Sequence, residues 1–269
     1  MANSPSGESM LDRIIRVLSA FDADRPLLSV AAIANRANVP LPTCYRLVNQ
    51  MVTADLLRKD SGGNISLGMR LWELASRSSP ARDLRVAAMP FLDDVQSIFR
   101  QHTQLAVLDG DEVLVLERLS SRNSVVNQAT IAGRMPTHQV SLGLSMLAFE
   151  LPAQIAAYVS RHPEVEEINY PGAAGLRSTL ATIRQRGYAQ LDGMLDHDTA
   201  GAAVPVFASV TGRDRTRVIA SIGVVVPIDF EQRSAVVPVL LAASRGLTRA
   251  LSVPEHEPAS VTPDWHKTT

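Results

Sequence analysis

At 269 residues with 46% apolar side chains, the chain has the length and composition of one large or two ordinary domains with real cores, and it should fold unaided. A net charge of −1 excludes a protein that coats nucleic acid along its whole length. A single cysteine, Cys44, excludes an intrachain disulfide framework and a cysteine zinc cluster, which makes a reducing cytoplasm the expected compartment.

The charge is unevenly placed: residues 1–70 carry 8 Lys and Arg against 6 Asp and Glu, and the remainder 18 against 21, so the N-terminal end has the sign a phosphate-contacting module needs. Residues 1–9 are polar and lack the apolar core of a signal peptide, and they read as a disordered tail. No run of about 18 apolar residues is read, so neither secretion nor a membrane span is expected.

Met10, Leu11, Ile14, Ile15, Leu18 and Phe21 share one face of a first helix, which the Asp24-Arg25-Pro26 turn stops. Ser29 caps a second helix carrying Val30, Ile33, Ala34 and Ala37, and Asn38-Val39-Pro40 turns into a third over residues 42–53. There Cys44, Leu47, Val48 and Met51 follow i, i+3, i+4, i+7 spacing and form an apolar stripe. Pro42, Tyr45, Arg46 and Asn49 gather on the opposite side, with Thr43 near the helix start. Residues 56–59 and 65–67 read as strands joined by Asp60-Ser61-Gly62-Gly63-Asn64, a hairpin with Arg58 and Lys59 just before its tip. Three helices and a basic hairpin in this order describe a winged helix-turn-helix, whose third helix is shaped to enter a major groove. The DNA-contacting residues expected are Pro42, Thr43, Tyr45, Arg46, Asn49, Arg58 and Lys59; because strand residues alternate faces, one of the last two reaches phosphate.

A helical pattern then runs from Met69 through Leu71, Trp72 and Leu74 to a break at Ser78-Ser79-Pro80, where the domain linker is placed. The expected division is a DNA-binding domain over 10–68, a linker helix over 69–80, an effector-binding and oligomerisation domain over 81–253, and a disordered tail over 254–269. Within the second domain, helices are expected over 81–102, 142–149, 154–161, 176–186 and 230–251. Strands are expected over 105–108, 113–119, 124–129, 188–191, 203–210 and 218–226. The mixture reads as an α+β sensor-like fold.

Pro40-Leu41-Pro42-Thr43-Cys44-Tyr45-Arg46-Leu47 and Asp60-Ser61-Gly62-Gly63 resemble the recognition helix and wing of the IclR family of bacterial transcriptional regulators. The resemblance continues through Ala106-Val107-Leu108-Asp109-Gly110, Gly133-Arg134-Met135-Pro136-Thr137-His138, Leu142-Gly143, Arg186-Gly187-Tyr188-Ala189 and Val204-Pro205-Val206-Phe207, in the family's order and spacing. It implies a winged helix-turn-helix joined to a GAF-like α/β effector-binding domain, homodimers or homotetramers on palindromic double-stranded DNA, and control of catabolic genes. The positions that line the pocket in relatives binding small 2-oxo acids fall near Ser141, Leu142, Leu191, Gly201, Gly223 and Val225. Most of the polar donors are missing there, which points to a larger, less polar effector such as an aromatic or bulky carboxylate.

Gln139 and Ser141 stand at the start of a helix, where free backbone N–H groups favour an acidic ligand. Ser141 is otherwise only a cap, and His138 is either a ligand contact or a packed, hydrogen-bonded imidazole. Asp192, Asp196, His197 and Asp198 surround a histidine with carboxylates, a set that could hold a metal such as zinc but reads mainly as a solvated loop, with Asp192 counted among the effector residues. No cofactor, metal or catalytic residue is expected. An enzyme is the rival class, yet neither a Gly-rich phosphate loop nor a Gly-x-Ser-x-Gly elbow is found. A winged-helix regulator whose second domain only oligomerises is the other alternative.

Overall fold

In the computed structural model the described residues are 8–22, 24–77, 80–122, 124, 129–170, 173–209 and 216–252. The chain divides into two compact units, Met1–Ser79 and Pro80–Thr269. The expected tail over 254–269, the break at Ser78-Ser79, most of the expected strand over 124–129 and most of the N-terminal tail lie outside the described residues. Glu8 and Ser9, assigned to that tail from sequence, are instead structured. Ser9 caps α1 (Met10–Leu18) in a reciprocal box: its Oγ accepts from the Asp12 amide at 3.1 Å, and Asp12 Oδ2 accepts from the Ser9 amide at 3.1 Å. Such a cap stabilises a helix by about 1 kcal/mol. Glu8 pairs with Arg13 at 3.2 Å and Arg16 at 2.8 Å.

Ser29 caps α2 (Val30–Arg36), its Oγ accepting from the Ala32 amide at 3.2 Å. The chain then turns at Asn38, whose φ of 49° is tolerated because asparagine is among the few side chains that enter the left-handed region. Helix α3 (Leu41–Thr53) begins after Pro40 with Pro42 in its first turn, where a missing N–H costs nothing. Its buried residues are Cys44, Leu47, Val48 and Met51, the stripe expected from sequence. Strands β1 (Leu57–Lys59) and β2 (Ile65–Leu67) form the wing, and Leu28 and Ile65 exchange backbone bonds of 2.9 and 2.8 Å that fasten it to the preceding loop. Helix α4 (Met69–Arg77) buries no residue.

The second unit is one six-stranded antiparallel sheet with helices on both faces. It opens with α5 (Pro80–Phe99), followed by the hairpin β3 (His102–Asp109) and β4 (Glu112–Leu119) and the short β5 (Arg134–Pro136). Next come α6 (Ser141–Leu147), α7 (Pro152–Arg161), the paired two-residue strands β6 (Asn169–Tyr170) and β7 (Ala173–Ala174), and α8 (Gly175–Arg186). The described part of the chain closes with β8 (Ala189–Asp192), β9 (Thr199–Ser209), β10 (Thr216–Pro227) and α9 (Arg233–Ser252). The strand order is β5-β4-β3-β10-β9-β8.

Side-chain alternation decides the layers. Ala200, Ala202, Val204 and Val206 of β9, with Ala220, Ile222, Val224 and Val226 of β10, pack against α5 and α9. The other face offers Ala106, Ala203 and Gly223, small enough for α6 to lie close, and every residue of α6 is buried. A bulge between Val218 and Ala220 reverses the alternation, so Val218 joins the α6 side. Ser145 on α6 meets Ser221 on β10 at 2.7 Å, and Ser221 Oγ donates to the Val204 carbonyl at 3.1 Å, pinning helix to sheet through satisfied buried hydroxyls.

Helix α9 is, by length and composition alone, apolar enough to cross a membrane, a window the sequence reading did not register. Its apolar face is spent internally: Val236, Leu240, Ala243 and Leu247 belong to the core against the sheet and α5.

Candidate functional site

In the N-terminal unit, Pro42, Tyr45, Arg46 and Asn49 are exposed on α3, directly opposite its buried stripe, and Thr43 is half-buried beside them. Arg58 and Lys59 are both exposed, with Arg58 opposite Ser66 and Lys59 opposite Ile65. Among the described residues no carboxylate pairs with Arg46, Arg58 or Lys59, so their donors stay available. The wing tip is held by Asp60, whose Oδ1 accepts from the Asn64 amide at 2.8 Å; that bond, with others from the turn, draws its carboxyl below the usual range. These bonds hold the turn beside Arg58 and Lys59, whose exposed side chains leave the strand in alternate directions, so that one of the two is placed to reach phosphate.

The second unit contains a cavity at the edge of the sheet, under the entry to α6. Its apolar wall comes from Met135, Leu142, Leu191, Met194, Leu195 and Val225, and its polar groups from Gln104, Gln139, Ser141, Asp196 and Thr199. The cavity volume is about 60 Å³, room for a few waters, so a ring must push back the wall to enter. Met135 and Met194 are unbranched side chains suited to that displacement. Gln104 on β3 is buried, and no protein atom among the described residues accepts from its Nε2. A buried amide donor without a partner costs about 1–3 kcal/mol, so water or a ligand atom must meet it. No side chain caps the start of α6 at Val140, which leaves the first amides of that helix to the same space.

Of the effector residues expected from sequence, Gln139, Ser141, Leu142, Leu191, Gly201 and Val225 line this cavity. His138, Asp192 and Gly223 do not. His138 Nδ1 is 2.8 Å from the Tyr158 hydroxyl, and burial pushes its pKa down. Asp192 follows Leu191 on β8, so its side chain leaves the strand on the opposite face, where Arg233 takes it. Gly223 is closed over: a Cβ there would meet the Ala202 carbonyl at 2.9 Å and Leu142 Cδ2 at 3.0 Å. At Gly201 it would meet Ser141 Oγ at 3.0 Å, so the space expected from absent side chains has been filled by close packing. Gln104 was missed because it sits in a stretch of buried strand, where sequence alone does not mark a polar residue as stranded. Met135, Met194, Leu195 and Thr199 were missed because they stand on a three-residue strand, a loop and a strand start, all too short for periodicity.

Asp196 is bound into its own turn, its Oδ1 accepting from the Asp198 amide at 3.1 Å, and among the described residues the Asp192 to Asp198 carboxylates do not converge with His197 as a ligand set.

The N-terminal unit matches the IclR helix-turn-helix domain over residues 10–61, and the second unit matches the bacterial transcriptional regulator IclR C-terminal domain over residues 78–253. The chain belongs to the IclR family. Among solved structures it is similar to an IclR homolog from Microbacterium hydrocarbonoxydans complexed with 4-hydroxybenzoate, at 37% identity and a TM-score of 0.78 over 90% of this chain and 99% of that one. It is 25% identical to the Pca regulon regulatory protein of Pseudomonas putida over 92% of this chain and 85% of the relative. It is also 29% identical to SauR of Cupriavidus necator, a probable transcriptional regulator, over 80% and 84% of the two chains. This IclR-type chain is therefore a DNA-binding transcriptional regulator with an effector-binding C-terminal domain, as its family and these curated relatives are regulators.

Proposed function

We propose that this IclR regulator answers to an aromatic carboxylate and controls catabolic genes in the cytoplasm. The observation that carries the ligand class is the Gln104 donor stranded at the wall of an otherwise largely apolar cavity: a ring satisfies the walls and an oxygen substituent satisfies the amide. Gln139, Ser141 and the uncapped start of α6 add donors for a carboxylate. The 4-hydroxybenzoate held by the Microbacterium relative supports the same class.

DNA contact is assigned to Pro42, Thr43, Tyr45, Arg46, Asn49, Arg58 and Lys59. One recognition helix covers too few base pairs for an operator, so the working species is a homodimer or a dimer of dimers on a palindrome. The exposed Met69 and Trp72 on α4, which buries nothing, support a partner copy along that helix. Occupancy of the cavity changes how the two winged helices of such a dimer engage their half-sites.

Thermal-shift measurements on the full chain test the ligand class. 4-Hydroxybenzoate or a related aromatic acid raises Tm while pyruvate and glyoxylate do not. Stabilisation by the oxo acids and by no aromatic acid overturns the proposal.

A further inference from the structure

The mechanism above leaves a cluster of metal-type donors unused. One donor atom from each of His138, His162 and Glu164 lies within 4.8 Å of the other two. These residues come from separate segments: His138 from the 3-10 turn Thr137–Gln139 that leads into α6, His162 from the end of α7, and Glu164 from the following 3-10 turn Pro163–Glu166. The two histidines are held in place. Pro163 restrains the backbone after His162, whose amide donates to the Tyr158 carbonyl at 3.0 Å, and the Tyr170 hydroxyl donates to the His138 carbonyl at 3.1 Å.

The outer nitrogen of each histidine is already engaged. His162 Nε2 lies 3.1 Å from Asp111 Oδ2, and Asp111 is itself fixed by a two-pronged contact from Arg161 at 2.6 and 2.7 Å. His138 Nδ1 is held by Tyr158. A carboxylate or hydroxyl on the outer nitrogen is the usual way a metal-binding imidazole has its tautomer and orientation set. His162 Nδ1 in turn lies 3.2 Å from Glu164 Oε1; in the tautomer that carries its proton on Nε2 two acceptors meet there, a pairing that a proton or a metal cation between them resolves. That separation is already close to the ~3.3 Å donor spacing of tetrahedral zinc with bonds of about 2.0 Å.

We propose that His138, His162 and Glu164 form a binding site for a divalent transition ion of the zinc class, oriented by Tyr158 and Asp111. Two imidazoles and a carboxylate suit Zn²⁺ with water in a fourth position. Glu164 is exposed and swings inward to complete the set, while the Gln139 amide, now 3.3 Å from His138 Nε2, gives way. His138 immediately precedes Gln139, which lines the effector cavity, so the ion ties the end of α7 to the turn that carries part of the cavity wall.

Titration of metal-free, full-length chain with Zn²⁺ against a chromophoric chelator tests the site, with Co²⁺ as a spectroscopic probe. The wild type takes up one ion per chain, and the Co²⁺ form shows the visible bands of a tetrahedral site. His162→Ala weakens binding at least ~100-fold and removes those bands, Glu164→Gln weakens it at least ~10-fold, and Asp111→Asn weakens it ~10- to 100-fold. His162 and Glu164 are surface-accessible, so these variants report binding where a buried His138 variant could fail to fold. His197→Ala and the double variant His256→Ala, His266→Ala leave binding unchanged. Absence of stoichiometric uptake, or uptake that survives His162→Ala and Glu164→Gln, overturns the proposal.

Discussion

Single atoms carry much of the functional reading. Gln104 Nε2 is buried without a protein partner among the described residues, and its residue lines the cavity, which joins a stranded donor to a space that a ligand can fill. Gln104→Leu should weaken binding of an aromatic carboxylate about tenfold, the loss of one hydrogen bond to a charged or polar ligand atom, without lowering the denaturation midpoint of the ligand-free chain. Calorimetric titration with denaturant unfolding separates the two effects; a lower midpoint with unchanged affinity would show that Gln104 is only packing. Arg46 is the counterpart on the DNA side, exposed on α3 and paired with no carboxylate among the described residues. Arg46→Ala should cost about 1–3 kcal/mol of operator affinity and leave the ligand-induced Tm shift intact, as read by fluorescence anisotropy beside thermal shift.

At the scale of elements, the close approach of α6 to the turn before it sets the cavity's shape. A Cβ on Gly143 would lie 2.2 Å from the Thr137 carbonyl, a backbone contact that cannot rotate away. Gly143→Ala should therefore destabilise the chain by about 1–3 kcal/mol, measurable as a lower urea midpoint, and should loosen the turn bearing His138 and Gln139. The recognition helix was legible because Cys44, Leu47, Val48 and Met51 keep strict helical spacing and Ser29, Pro40 and Gly63 punctuate their elements plainly. Strand β5 was not, since Arg-Met-Pro is too short for alternation and ends in a residue that reads as a turn. His102 to Gln104 were read as helix end and gap, because burial on both faces of a central strand erases period-two patterning. The cavity was half legible: the α6 entry announced Gln139, Ser141 and Leu142, whereas Gly223 looked like space and is filled by Leu142 and the β9 backbone.

For the whole molecule, the central claim is that one chain couples a ligand cavity to a winged helix. Coupling free energies of 1–3 kcal/mol, roughly 5- to 150-fold in affinity, are ordinary for such proteins, and reciprocity requires that DNA change ligand affinity by the same factor. The most direct measurement is a fluorescence-anisotropy titration of the full chain on DNA from upstream of its own gene and of the neighbouring genes, with and without saturating 4-hydroxybenzoate and related aromatic acids, at fixed salt. At least one aromatic acid should shift the operator Kd about fivefold or more, in either direction, with Arg46→Ala weakening operator binding by about 1–3 kcal/mol. Superimposable curves across the aromatic panel, on DNA that the chain demonstrably binds, would contradict the account.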